Sequence, residues 1–414
     1  MRPLRWLWLF PTTLASACGS ETVSSEPPVA AESPLTCEPG PEITGIVEAC
    51  GFTSEGSGAP MAAKLWTFAS DDGSSWQRFS HASDGSVYLF SSSATSIPMQ
   101  VARLGPNLEP EWSRRFVPLD ESRELPEFQL VLDAVGDDAV NVVISLAEDA
   151  SVEPTWVHTI GSDGNCADAF EVAFAGVSPA RTTAVLRESD SLVLAGIIAG
   201  TRGFIQRRDL AGGLLEEAEL VPPPDSEVST VKVFRGLDGY LVNYGITFDG
   251  GYGDPEARYF DASFDELASF GSQPSWGYFQ DAFGQLYAVA RDEPAPLLDF
   301  DPVDTLELTP LAVEGEAPSG RVLSIPQPQC GNPKLAVFDD NLAIVRCNRI
   351  GEGNVVEDTN TILGYIGSGE PSWTMEIGCF GVPADVVPVF RQDSRLWLWG
   401  GWQGGMRLLV VEFD

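Results

Sequence analysis

Histidine, basic charge and helical periodicity are all scarce in this chain. Two histidines, His81 and His158, stand far apart among 414 residues, and the sequence contains no HExxH segment, no Cys pair at zinc spacing and no G-x-S-x-G elbow. These absences exclude the familiar zinc and serine-nucleophile sites, because each needs an imidazole held against a metal or a hydroxyl. Both histidines are predicted as packed or surface residues within strands, and no catalytic residue is assigned. Lysine and arginine number 24 against 60 acidic residues, a formal charge of −36. A surface of that sign repels nucleic acid and anionic lipid, so no nucleic-acid partner is expected; its plain role is to keep an exported protein soluble and monomeric. No long stretch repeats apolar residues at i, i+3, i+4, while 41 glycines and 31 prolines supply turns. The composition therefore predicts an all-β fold.

The one helix-like apolar run, Leu4 to Phe10 behind Arg2 and Arg5, is too short to span a bilayer and matches the basic and apolar regions of a signal peptide. In Leu14-Ala15-Ser16-Ala17-Cys18 the bond before Cys18 serves either an ordinary secretory cut or a lipoprotein cut. The second is favoured by cysteine arithmetic. Seven cysteines is an odd number for an exported chain, and removing Cys18 leaves Cys37, Cys50, Cys166, Cys330, Cys347 and Cys379, enough for three disulfides. A stretch dominated by Ser, Glu and Pro follows and reads as a tether. The expected organisation is a signal peptide over residues 1–17, a tether over 18–61 in which Cys37 and Cys50 bracket a small disulfide turn, and a folded domain over 62–414.

Within that domain a short apolar run, a tight turn rich in Asp, Gly or Ser, and a second apolar run recur. The turns fall at Asp84-Gly85, Asp137-Asp138, Ser189-Asp190, Asp238-Gly239, Phe283-Gly284, Asp339-Asp340 and Asp393-Ser394, spaced 45 to 56 residues apart. This is the hairpin pattern. Each unit but the last continues into a second hairpin, as in MQVARL-GPNLEP-EWSRRF, which makes four strands per unit. Four-stranded antiparallel units at this period predict a β-propeller of seven blades. The last unit ends after three strands, and Lys64-Leu65-Trp66-Thr67-Phe68, which resembles outer strands elsewhere, is predicted to complete it and close the ring.

Asp84-Gly85-Ser86-Val87-Tyr88-Leu89 with Ala102-Arg103-Leu104 and Trp112 resembles the repeat unit of bacterial exported propeller-repeat proteins, many of them lipoproteins. The resemblance covers about residues 62 to 414 and implies a fold rather than an activity. With Gly19 and Ser20 after the lipidated cysteine, it also implies the outer membrane or cell surface, with the membrane as a partner through the lipid anchor.

Period-two geometry places Trp397 and Trp399 in the core and Trp402 in the loop after their strand, where it is a candidate ligand contact. Cys330 and Cys347 lie nearly equidistant from the turn at Asp339 and are predicted to pair across adjacent strands, with pairing of either to Cys379, after the outer strand of the same unit, as the alternative; Cys166 then meets Cys37 or Cys50. Acidic turns such as Asp299, Asp301, Asp304 and Asp261 offer oxygen atoms to calcium, yet no calcium loop is complete, so no cofactor is assigned. The leading expectation is a membrane-anchored binding or scaffolding module for an unknown protein, peptide or glycan. A propeller glycosidase or lyase using channel carboxylates and a purely structural envelope protein are the alternatives.

Overall fold

The computed structural model describes residues 33–414 apart from 72–75, 92–98, 120–126, 137, 149–150, 176–179, 199–201, 237, 249–250, 253–255, 271–276, 281–285, 292–302, 312–322, 340–341, 351–355, 367–369, 379–385, 393 and 403–404. No helix occurs among the described residues. The chain opens with β1 (Leu35–Pro39), β2 (Ile43–Ala49), β3 (Phe52–Gly56) and β4 (Ala62–Ser70). A first sheet follows, β5 (Trp76–His81), β6 (Val87–Ser91), β7 (Met99–Leu104) and β8 (Pro110–Pro118), and a second, β9 (Glu127–Val135), β10 (Ala139–Glu148), β11 (Ser151–Gly161) and β12 (Phe170–Val172). The third is β13 (Ala180–Arg187), β14 (Ser191–Ile198), β15 (Arg202–Asp209) and β16 (Leu214–Leu220). The fourth is β17 (Ser226–Arg235), β18 (Gly239–Phe248), β20 (Glu256–Asp261) and β21 (Glu266–Phe270), with the two-residue β19 (Gly251–Tyr252) folded back on β18. Each is an antiparallel meander, as the repeat predicts.

Burial explains the strand sequences. β14, Ser-Leu-Val-Leu-Ala-Gly-Ile-Ile, is buried at every position, because a strand in the middle of a sheet covered on both faces has no wet side. β16, Leu-Leu-Glu-Glu-Ala-Glu-Leu, lies at the outer edge of its sheet, exposed at Leu214, Leu215 and Glu217 and fully buried only at Leu220. Among the described residues, apolar clusters fill the space between and within neighbouring sheets.

The fifth unit departs from expectation. β22 (Gly277–Gln280), β23 (Leu286–Arg291), β24 (Val303–Pro310), β25 (Leu323–Asp339), β26 (Leu342–Ile350), β27 (Val356–Ile366) and β28 (Trp373–Ile377) form one continuous sheet. The segment expected as the third strand of unit five, residues 296–301, lies outside the described residues, and β24 pairs directly with β23. The free edge of β24 is then taken by the first part of the 17-residue β25, with Leu306 opposite Ile325, because an unpaired strand edge binds the next available strand. In that register Cys330 stands opposite Arg349 and Cys347 opposite Thr361.

The last sheet contains β29 (Val386–Gln392), β30 (Arg395–Trp402) and β31 (Gly405–Glu412) in the order β2-β4-β31-β30-β29. The expected N-terminal strand is therefore β4, which pairs with β31 from Thr67 opposite Arg407 to Ala62 opposite Glu412. Trp402 is the last residue of β30, paired with Gly405, and not part of a following loop.

The tether is shorter than composition suggests. Residues 35–56 form three strands, each added to the outer edge of a different sheet: β1 on β8, β2 on β4 and β3 on β28. Edge strands bury only one side of their backbone, so a polar sequence such as Phe-Thr-Ser-Glu-Gly suffices. The expected Cys37–Cys50 turn is not formed. Cys37 is bonded to Cys166 beside the second sheet, 129 positions away, and Cys50 is disulfide-bonded elsewhere.

The turn between third and fourth strands repeats in four sheets. In Gly105–Glu109, Gly161–Asn165, Asp209–Gly213 and Asp261–Asp265 the first residue's N–H donates to the fifth carbonyl, and the fourth residue's N–H donates to the first carbonyl, at 2.8 to 3.1 Å. The fourth residue takes positive φ: Leu108 at 63°, Gly164 at 82°, Gly212 at 93° and Phe264 at 60°. This is a three-residue hairpin loop with a bulge. Glycine fits two of these positions because an aromatic ring of the preceding sheet fills the space: a Cβ on Gly164 would lie 2.9 Å from Trp112, and one on Gly212 would lie 2.5 Å from Phe170. Where the preceding sheet supplies no such ring, the turn itself carries the filler. Leu108 and Phe264 are 3% and 6% exposed within the clusters that join their sheets to the preceding ones, despite a left-handed backbone that costs a non-glycine residue about 1 kcal/mol.

Candidate functional site

Two equivalent rows of residues, one in the first sheet and one in the last, differ in a way that opens a cleft. In the first sheet Tyr88, Arg103 and Trp112 lie side by side on β6, β7 and β8. Arg103 is the hub. Its guanidinium lies 5.9 Å from the centre of the Tyr88 ring and donates to Asp84 and Ser86 at 2.8 Å, to Glu111, and across to the Ser162 carbonyl of the second sheet. Burial pushes the Asp84 carboxyl up, but the Ser86 N–H and hydroxyl and the Arg103 charge outweigh it and hold it below its ordinary value. Trp112 closes the row by donating from Nε1 to the same Ser162 carbonyl at 2.9 Å. Both terminal nitrogens of Arg103 and the Trp112 indole N–H are engaged, and the seam is filled, with Arg103 Nε and the Tyr88 hydroxyl buried in it.

Counting from the turns at Asp84 and Asp393, the matching row of the last sheet is Trp397, Val410 and Lys64, aligned on β30, β31 and β4. An aromatic floor is kept, the central arginine becomes valine, and the outer tryptophan becomes lysine. One row further, Arg395 lies opposite Glu412, so basic groups flank the space that a guanidinium fills in the first sheet. The result is a cleft of about 140 Å³ between the last sheet and the Gly105–Glu109 turn of the first. Trp66, Trp397, Val410, Pro106 and Leu108 make its apolar walls, with Lys64, Arg395, Glu412 and Asn107 lining the rest. Glu412 Oε1 lies 3.7 Å from Lys64 Nζ and 3.6 Å from Arg395 Nε. The lysine and arginine side chains remain 54% and 50% exposed, so their remaining N–H groups face solvent.

Trp397 is 2% exposed in the cluster joining the first and last sheets, and Trp399 packs on the same cluster with its ring edge-on to Phe79, as expected of core residues. The backbone of Trp402, Cys330 and Cys347 is placed in β30, β25 and β26, while their side chains and all of Cys18 lie outside the description. His158 is 3% exposed, lies 4.8 Å from the Phe116 ring and faces Ser33 Oγ at 3.3 Å from Nε2; burial lowers it to about 4. His81 ends β5 at the surface. Asp261, one of the acidic turn residues, accepts from the Ser263 and Asp265 N–H groups, which is a turn-forming role. Among the described residues no three His, Cys, Asp or Glu side chains converge. Asp133, on the innermost strand of the second sheet, is paired with Arg78 and accepts from Ser80, both on the innermost strand of the first.

Sequence reasoning missed Lys64, Trp66, Arg395 and Glu412 as a group, since they come from both ends of the chain. The signal was present as a departure from the repeat, Val410 and Lys64 standing where Arg103 and Trp112 stand.

No family model matches the sequence, and no curated protein matches it. Among solved structures, the chain is similar to the β-propeller domain of the Trilobed protease from Pyrococcus furiosus at 12% identity and a TM-score of 0.44, covering 82% of this chain and 97% of that one. A structure from a study of two prolyl endopeptidases gives 11% identity and 0.49, over 82% and 50% of the two chains. The Dos1 propeller gives 12% and 0.38, over 88% and 95%.

Proposed function

We propose that this chain is an exported, lipid-anchored binding module in which seven four-stranded blades close into a ring, and that its ligand sits in the cleft at the closing seam. The seam is the one where β4, from the N-terminal end, completes the sheet made by the C-terminal strands. The observation that carries the reading is the substitution of the Arg103 and Trp112 positions by Val410 and Lys64, which trades a filled seam for a cleft with aromatic walls and charged groups free to bond outward. A purely structural ring has no use for that exchange, since it gives up packing and hydrogen bonds that the first seam retains. Cleavage before Cys18 and lipidation of its thiol attach the module to the envelope, at the outer membrane or cell surface, and the residues between Cys18 and β1 give it reach.

A glycan and peptide array probed with the full chain tests the binding reading. The expected result is a restricted set of hits that Trp66→Ala abolishes. Hits that survive both Trp66→Ala and Lys64→Ala would place binding elsewhere on the ring. The anchor is tested separately by palmitate labelling, which should be present in the wild type and lost in Cys18→Ala.

A further inference from the structure

We infer that the cleft takes an acidic saccharide, a pyranose ring bearing a carboxylate. The inference rests on the binding reading above and names the class of ligand for that same site.

Size sets the first bound. The cleft offers about 140 Å³ and is open to solvent, space of the order that one six-membered ring occupies. It seats one ring, and the rest of a longer ligand extends into solvent. The walls set the second bound. Trp66 and Trp397 come from strands on opposite sides of β31, with Val410 of β31 aligned between Lys64 and Trp397. Trp397, 2% exposed, forms the floor, and the half-buried Trp66 supplies the aromatic surface that a sugar's C–H face can meet. A purely apolar ring would leave the polar half of the lining unsatisfied. Asn107 and the Glu412 carboxylate can accept from hydroxyls, while Lys64 and Arg395 can donate to them. A sugar, apolar on its faces and polar around its rim, meets both halves at once.

Charge decides between neutral and acidic sugars. Two cations and one anion line the cleft, in a chain carrying 24 basic residues against 60 acidic ones. Glu412 accounts for one unit of positive charge, and one remains. In the first sheet the single arginine of the row faces two carboxylates, Asp84 and Glu111. The closing seam reverses that ratio, so the missing partner is an anion. Arg395, with a planar fork half in solvent, suits a carboxylate approached edge-on, and Lys64 adds a point charge from the other side.

The test is calorimetric titration of the full chain with a glucuronate-terminated disaccharide and with its glucose-terminated counterpart. The acidic sugar should bind with one-site saturation, roughly tenfold or more tightly than the neutral one, a charge-assisted pair being strong enough for that ratio. Lys64→Ala and Arg395→Ala, both at exposed positions, should each weaken the acidic sugar by a much larger factor than the neutral one, so that most of the preference is lost. Trp66→Ala should weaken both sugars alike. Equal affinity for the two sugars, or a preference unchanged in Lys64→Ala, overturns the assignment of an acidic ligand. Absence of saturation with either sugar, alongside array hits that depend on Trp66, overturns the saccharide class while the binding reading stands. Absence of both overturns the two together.

Discussion

Removing the Cys37–Cys166 bond by Cys37→Ser/Cys166→Ser should loosen the whole N-terminal strap, and the size of the effect can be worked from topology. The bond closes a loop of 129 positions, for which chain entropy alone gives about 5 kcal/mol of stabilisation. Measured losses for native disulfides run from about 2 to 5 kcal/mol, because the denatured chain is not a random coil. What remains to hold β1 without the bond is a five-residue pairing with β8 and the buried Leu35 side chain, worth about 2 kcal/mol for the side chain before ordering entropy is subtracted. Guanidinium unfolding should therefore show a stability lowered by about 2 to 5 kcal/mol, with a steeper slope because the unlinked denatured chain exposes more surface. Limited proteolysis should cut between β1 and β2 well before global unfolding. A loss below about 1 kcal/mol with no early cut in that segment would refute the claim that this bond pins the strap.

Seam filling is reciprocal, so Gly164→Leu should destabilise by about 1–3 kcal/mol through its clash with Trp112, and Gly164→Leu/Trp112→Ala should recover part of that loss in a double-mutant cycle. Leu108→Gly relieves a left-handed backbone but empties a buried site, and the second effect is larger, a net loss of about 1–3 kcal/mol by thermal or chemical unfolding. His158 has its folded pKa lowered to about 4 by burial, so the unfolded chain binds more protons between that value and the ordinary histidine value of about 6.5. Its contribution is intact above 6.5, falls as pH drops through the window and is gone near 4, up to about 3 kcal/mol in all. Melting curves across that range should flatten in His158→Gln relative to wild type. Binding of an acidic sugar should weaken as salt rises, and binding of a neutral one should not.

Much of the architecture was legible because turn chemistry is local. Asp84-Gly85 and the segments around Asn107, Gly212 and Phe264 were read as turns from residue type alone, and the strands flanking them begin and end within a residue or two of expectation. What could not be read depends on distant pairing. The strap over residues 35–56 has the polar composition of a linker, and only the free edges of β8, β4 and β28 make strands of it. Likewise Trp66 read as part of a closing strand without any sign that its neighbour Lys64 would stand beside Val410 and Trp397. Trp402, expected in the loop after the aromatic run, instead ends β30 opposite Gly405, so the ladder runs further than the aromatic pattern indicates. Degenerate repeats misled in the same way, since the missing counterparts of Trp112 looked like lost motifs. At the third and fourth sheets the loss is compensated by a filler on the opposite side of the seam, Phe264.

The central claim is that the closing seam between the last and first sheets is where this module holds its ligand. Hydrogen exchange of the full chain, with and without a saturating array-selected glycan, tests it most directly. The account predicts slowed exchange in β4, in β31 and in the turn from Gly105 to Glu109, with the equivalent turns Gly161–Asn165 and Asp209–Gly213 unchanged. Protection confined to other loops, with β4 and the Gly105–Glu109 turn exchanging as in the free protein, would contradict it.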